Sequence, residues 1–562
     1  MLRSSAFLTM LLVATVIGWA IPSVACAQPP ATALPDYFSG SGEKGGKPKW
    51  PDPTGGNAGV PVAPAADGKG DPNPADMKSA DLYERIAHNT ISINLVWVLL
   101  CGFLVMFMQV GFALVETGLC RSKNAAYMMT KNFMIYPLAC LSFWAYGFAI
   151  GWGNWANGPV GPGWYSSIGP GTSVLNEGFG LGPKFDENQK PTGKYELGLF
   201  GTKGFFLSGV DDVSVMTLFF FMMVFMNTTS TIPTGAMAER WTWKNFLLFG
   251  VWVAFPYCLY ANWVWGGGWL AQSGDNWGLG HGAVDFAGSG VVHAMGGAIS
   301  LAGVILIGPR LGKYSHGRPN AIPGHNLPYV VIGTFVLCFG WFGFNAGSTL
   351  SGTDLRISTI VVNTMLGSAA GPMAAMLTMG FKRMKPDPSM LCNGMLGGLV
   401  SITASCAFVD TWAAFVIGAV AGFLVVNAVL LFEDWGLDDP VGALSVHGVN
   451  GIWGLIALGL FANGKYGAGW GGVEREIYVA RYGSDGVRGL LYGDGSQFLA
   501  QLLSAVTVCV TGFVLAYVWF ELSDRITPLR VPADIEERGL DVPEMGAEAY
   551  PDHLMTHSSR PA

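Results

Sequence analysis

Along most of this chain apolar residues come in long unbroken runs, with neither a strand's alternation nor the one-sided stripe of a soluble helix. Eleven runs reach the ~20 residues that a helix needs to cross a bilayer core. They fall approximately at 92–115, 130–152, 213–236, 243–266, 286–308, 327–349, 357–381, 390–408, 411–432, 443–463 and 498–521. The pattern predicts an all-α polytopic membrane protein with about eleven transmembrane helices.

The polar positions between the runs give an orientation, because cytoplasmic loops are enriched in Lys and Arg. Arg121, Lys123 and Lys131 follow the first run, Arg240 and Lys244 the third, and Arg310, Lys313 and Arg318 the fifth. Lys382, Arg383 and Lys385 follow the seventh, and Arg525 and Arg530 the last, whereas the loop after the fourth carries no Lys or Arg. The expectation is a multi-pass protein of the cell (inner) membrane, N-terminus extracytoplasmic and C-terminus cytoplasmic. The acidic loop with Glu433, Asp434, Asp438 and Asp439 departs from this alternation, and Asp438 reads as a solvated residue.

Residues 1–27 read as a cleavable signal peptide: Arg3, an apolar core, then Ala25-Cys26-Ala27. An uncleaved span and a lipoprotein signal are the alternatives. A Pro/Gly-rich extracytoplasmic leader follows over 28–90, and its stretch to residue 76 has no helical or strand period and predicts disorder. The remaining divisions are 91–310 and 311–465 as two five-helix halves, 466–522 as an outer loop and eleventh helix, and 523–562 as a cytoplasmic tail.

Composition agrees. Of 562 residues, 51% are hydrophobic and 12% charged, against about 25% charged in soluble domains. The formal charge of -7 is spread over loops and tails, so no nucleic-acid partner is expected. The nine cysteines show neither CxxC nor Cys/His metal spacing, so they read as packing residues, and neither metal nor cofactor is expected.

Chemistry enters with a repeat. Asp285-Phe286-Ala287-Gly288-Ser289-Gly290-Val291-Val292-His293 recurs as Asp439-Pro440-Val441-Gly442-Ala443-Leu444-Ser445-Val446-His447. The two match at Asp285/Asp439, Gly288/Gly442, Val292/Val446, His293/His447 and Gly297/Gly451. His293 lies in the fifth run and His447 in the tenth, so the unit is five helices. An odd number of spans makes the copies inverted repeats, an architecture that places its working site at the repeat interface near the midplane. The final long helix stands outside the repeat.

Ionisable groups inside a membrane mark pathways by default, and histidine is the least costly of them because its neutral form dominates near pH 7. Two facing imidazoles can line a narrow pore, accept a hydrogen bond from a small solute or relay a proton. They can also be two satisfied core residues, or a haem ligand pair. Asp285 lies eight residues before His293, about 12 Å along a helix. That is too far for contact, and capping of the helix N-terminus is its favoured role; a long-range field role stays open. Asp439 is its counterpart at the other end. Phe221 and Phe225 are one turn apart in the third run, Trp265 stands beside Gly266-Gly267-Gly268, and Trp341, Phe344 and Ser348 share the sixth run. Aromatic faces can hold a cation, and a hydroxyl can accept its hydrogen bond. On composition alone, packing or lipid contact is the stronger reading of each aromatic.

These residues carry a family resemblance. From about 90 to 550 the chain resembles the ammonium transporters, the Amt/Mep branch of the Amt/Mep/Rh superfamily. The agreement runs through Gly118–Asn124, Gly235–Arg240, Val264–Gly268, Asp285–His293, Trp341–Ser348, Asp438–Val449 and Gly539–Tyr550. The resemblance implies ammonium/ammonia transport across the cell membrane and a homotrimer embedded in membrane lipid; the runs hold no nucleophile–base set or metal cluster, so no enzymatic activity is expected. The resemblance also implies that Trp265, Ser348 and Phe221 recruit ammonium, that Phe225 and Phe344 form a gate, and that His293 and His447 are twin pore histidines with Trp341 beside them. Asp285 would be the signature aspartate and Asp439 its inner-side repeat, and the tail resembles one that meets a P-II-type nitrogen regulatory protein. Departures are the long 152–212 loop, the leader, and Gly442 where some bacterial members carry aspartate. An ammonium sensor on this fold and an Rh-like neutral ammonia channel are the alternative readings.

Overall fold

The structure, a computed structural model, describes residues 79–153, 178–185, 189, 191–210, 213–466 and 486–551. The expected signal peptide and the leader up to residue 78 lie outside them. The first helix, α1 (Ser79–Leu119), starts inside the segment read as leader. After it come α2 (Ala125–Ser142) and α3 (Phe148–Trp152), continuous through a wider π-type turn at Phe143–Gly147. Next are α4 (Val213–Ala236), α5 (Trp243–Trp252), α6 (Ala254–Val264) and the short α7 (Ser273–Trp277). The first half ends with α8 (Met295–Ile307), and the second holds α9 (Leu327–Gly347), α10 (Arg356–Phe381), α11 (Pro388–Thr403), α12 (Thr411–Asp434) and α13 (Asn450–Phe461). The chain closes with α14 (Gly495–Ile526) and α15 (Ala533–Arg538).

Among the described residues, ten helices are long and apolar enough to cross a membrane. The eighth expected span is represented by α11, which has only 16 residues. It stops early because its last carbonyls pair with another segment: the Phe286 and Ala287 amides donate to Ala404 and Thr403 at 3.1 and 3.2 Å. Inside apolar surroundings a helix can end only where such partners replace its own ladder. The fourth span, predicted as one helix over 243–266, is broken at Val253 between α5 and α6. Pro256 has no N–H to offer the preceding turn. The Tyr146 hydroxyl instead donates to the Val251 carbonyl at 2.5 Å, within 3.3 Å of the Trp252 carbonyl.

Side-chain caps fix several helix starts, with Thr242, Asn326, Asp387 and Asp494 accepting backbone N–H groups of the first turn. The long loop expected over 152–212 contains an antiparallel hairpin, β1 (Gly178–Phe185) and β2 (Pro191–Gly201). It docks on the end of α6: Trp263 Nε1 donates to the Leu199 carbonyl at 2.8 Å and the Trp269 amide to Gly198 at 3.1 Å. This hairpin marks one end of the bundle. The C-terminal tail, returning against the starts of α2 and α5, marks the other.

The halves meet through the repeat. Each histidine sits in a π-type turn, Ser289–Ala294 before α8 and Leu444–Val449 before α13. A Cβ on Gly297 would collide with the Gly448 backbone, and one on the matched Gly451 would lie 2.6 Å from the Ala294 nitrogen. Ala294 and Gly448 each follow a histidine, so the two contacts are the same contact made twice across a pseudo-twofold relation. Only glycine permits that approach.

Candidate functional site

Asp285 begins the site. It is buried, and its two oxygens accept four successive backbone N–H groups: Gly288 and Ser289 at 2.9 Å on Oδ1, Gly290 at 2.8 Å and Val291 at 2.9 Å on Oδ2. The chain can fold back over the carboxylate because Gly288 has φ +110°, a left-handed conformation open to glycine. Asp439 repeats the device in the other half, accepting Gly442 and Leu444 at 3.1 and 2.6 Å, with Gly442 at φ +79°. Capping, expected for Asp285 from its position, is what the geometry shows. The Asp285 carbonyl also accepts Trp265 Nε1 at 2.7 Å, so the cap holds that indole as well.

Below it runs a file of buried rings. Phe221 lies 4.7 Å from Phe225, centroid to centroid, and Phe225 stacks on Phe344 at 3.9 Å and 19°. Trp265 meets Phe225 edge-on at 6.1 Å. Phe344 lies 5.6 Å from His293, which stacks on Trp341 at 5.1 Å and on His447 at 5.1 Å. The Trp341 indole is fixed by a 2.8 Å hydrogen bond to the Thr403 hydroxyl. Ser348 donates to the Phe344 carbonyl at 2.7 Å, which leaves its oxygen free to accept. Five elements, α4, the ends of α6 and α9, and the two histidine turns, thus bring together Phe221, Phe225, Trp265, Trp341, Phe344, Ser348, His293 and His447.

The histidine Nδ1 atoms are 3.1 Å apart. One must donate and the other accept, so each fixes its neighbour's tautomer. His293 Nε2 is buried with no hydrogen-bond partner among the described residues. Beyond His447 the file continues with Phe112 at 6.2 Å, then a cavity of about 20 Å³ whose polar lining is Glu116, Asn393 and His447.

Glu116 lies one residue beyond the first apolar run, which the sequence pattern ends at residue 115. An acid within reach of an apolar span was the available signal. Thr403 and Phe112 carried none, since their contacts join helices far apart in sequence.

At the tail end of the bundle, Glu239 bridges Arg121 at 2.8 Å and Arg310 at 3.0 Å, while Arg310 holds Asp438 through 2.8 and 2.9 Å bonds. Asp438, expected to be solvated, is buried at 1% exposure because this guanidinium and the Arg310 amide enclose it. Burial alone would raise both carboxyls; Arg310 and Arg121 outweigh it for Glu239, and Arg310 with Arg240 for Asp438, holding each at about 2. The tail closes over this cluster. Glu536 pairs with Arg530 at 2.8 Å and accepts the Leu311 amide at 2.7 Å, and Asp541 accepts the Ala126 and Tyr127 amides at 3.0 and 2.9 Å.

Residues 96–550 match the profile of the Ammonium Transporter Family. Ammonium transporter Amt2 of Archaeoglobus fulgidus is 45% identical over 476 residues, covering 84% of this chain and 91% of that one. The ammonium transporter of Bacillus subtilis is 31% identical, covering 82% and 98%. Among solved structures, a protein titled Sensor Amt Protein superposes with TM-score 0.66 at 30% identity, over 81% of this chain and 99% of that one. Candida albicans Mep2 superposes with TM-score 0.62 at 25% identity, over 81% and 90%.

Proposed function

The chain belongs to the ammonium transporter family, and from that premise we propose an electrogenic ammonium uptake path along the ring file. It is a multi-pass membrane protein, and in this reading the hairpin end faces outward and the tail end the cytoplasm. The observation that carries the reading is the Phe225–Phe344 stack at 3.9 Å standing directly before the histidine pair.

Ammonium arrives at Trp265, Phe221 and Ser348. Aromatic faces attract it by up to ~2 kcal/mol once desolvated, and the serine oxygen accepts one of its N–H groups. A bare cation cannot continue between apolar rings without a large desolvation cost. It therefore loses a proton at the Phe225/Phe344 gate and passes the histidines as ammonia, with His293 Nε2 available as its hydrogen-bond partner. The proton moves separately through the paired imidazoles, which keeps net charge crossing. Asp285 touches none of this; it orients the turn that carries His293 and, through its carbonyl, Trp265. No enzymatic step belongs to the scheme. A homotrimer with one path per subunit, and docking of a P-II-type regulator on the tail, complete the reading.

Sensing on the same fold is the alternative, prompted by the likeness to the Sensor Amt Protein. Ammonium uptake in cells lacking their own transporters separates the two. Growth on limiting ammonium, lost in His293→Ala, supports transport; no growth from a correctly inserted wild type contradicts it.

A further inference from the structure

We propose that Glu116 is the inner proton acceptor of the path, taking the proton that leaves His447 and returning it to ammonia as that ammonia emerges. The inference rests on the electrogenic reading above and assigns the step that reading leaves open.

Glu116 and His447 line the same cavity, whose about 20 Å³ has room for one water bridging them. The other polar group there is Asn393, whose Nδ2 is already committed to the Val441 carbonyl at 3.0 Å. The carboxylate is 3% exposed and held by polar groups on two helices. Asn132 Nδ2 donates to Oε2 at 2.8 Å, and the Thr234 hydroxyl approaches Oε1 at 2.7 Å. Lys131 and Asp439 are the charged groups that act on it, and Lys131 Nζ spends a hydrogen bond on the Thr234 carbonyl at 2.6 Å.

Thr234 makes the arrangement specific. Its hydroxyl has one proton, and it lies within bonding distance of both Glu116 and the Thr231 carbonyl. With Glu116 ionised, the hydroxyl donates to the carboxylate. With Glu116 protonated, it accepts from the carboxyl O–H and turns its own proton to Thr231. Asn132 is satisfied in either state, because a carboxylic acid keeps acceptor capacity on its other oxygen. The shell therefore accommodates both protonation states without moving a heavy atom, which a purely structural buried carboxylate does not require.

The step balances. An N–H bond of protonated His447 breaks as the bridging water takes its proton and hands another to Glu116, giving a neutral imidazole and a carboxylic acid. Ammonia entering the cavity then takes the carboxyl proton with its lone pair, giving ammonium and restoring the carboxylate. No electrons are transferred to or from the protein.

The test uses full-length protein in liposomes, with ammonium-driven current and ammonia permeability measured on the same preparations. Glu116→Gln should lower the current about 100-fold or more, the scale of a lost acid–base group, while ammonia permeability stays within about twofold. Glu116→Asp should restore current with a displaced pH profile. Current from Glu116→Gln within about twofold of wild type overturns the proposal. Wild type that passes ammonia without current overturns the electrogenic reading and this proposal together, and that outcome is visible before any variant is made. Should Glu116→Gln fail to insert, Thr234→Val keeps the carboxylate but removes the rotor. A reduced current with a displaced pH profile supports the proposal, and an unchanged profile overturns it.

Discussion

His293 and His447 lie 154 residues apart in the chain and 3.1 Å apart between their Nδ1 atoms. One hydrogen bond therefore joins the two halves of the molecule at their pseudo-twofold centre. Removing either ring strands the other's buried nitrogen, so the losses should not add. His293→Ala, His447→Ala and the double variant should show a coupling of about 0.5–1.5 kcal/mol in thermal or denaturant stability. Additive losses would mean the pair is not a unit.

Phe225 stacks on Phe344 and shields the histidines from the Trp265 end. An apolar constriction excludes ions by excluding their water. Phe225→Ala should therefore admit hydrated cations, raising potassium current and reducing selectivity for ammonium. A variant that inserts normally and still carries no potassium current contradicts this role for the ring.

Glu239 sits between Arg121 and Arg310, with Asp438 on the far side of Arg310. Taking away one partner of a buried charge cluster costs about 3–5 kcal/mol, so Glu239→Gln should melt markedly earlier. The pH dependence has a definite sign. Glu239 and Asp438 are held at about 2, below their ordinary 4.5 and 3.8. Their contribution is complete above about 4.5 and is lost as pH falls towards about 2. Protease access to the tail, followed from pH 6 downward, should rise in that window and not above it.

Gly297 meets the Gly448 backbone and Gly451 meets Ala294. Gly297→Ala forces the halves apart at the level of the histidines, at a cost of about 1–3 kcal/mol for an overpacked core. Thermal stability should fall by that order and ammonia permeability with it. Gly312, which a Cβ would leave free of any neighbour within 4 Å, lies at φ +77° and makes a poor control, whereas Gly380 has open space and no such restriction. Gly380→Ala should be neutral in both measurements.

Much of this site was legible in the sequence because its polar members interrupt apolar runs. Asp285, His293 and their repeats stand out against valine, alanine and glycine, and the odd count of spans set the halves inverted. What was missed depends on partners remote in the chain. Asp438 looked solvated because its enclosing Arg310 lies 128 residues away. Glu116 fell one residue past the end of its run, although the helix continues to Leu119. The break at Val253 lies in an apolar stretch where Pro256 was the signal, and the hairpin in a glycine-rich one, where side-chain alternation is weak. Hydrophobic runs locate spans; they do not report where a helix ends on another segment's amides, as α11 does.

The central claim is that ammonium crosses as ammonia with its proton moving separately past His293 and His447. Purified protein in liposomes, with current and ammonium uptake recorded together, tests it most directly. The account predicts an inward ammonium-dependent current in proportion to uptake, abolished in His293→Ala. Uptake by wild type with no accompanying current would contradict it.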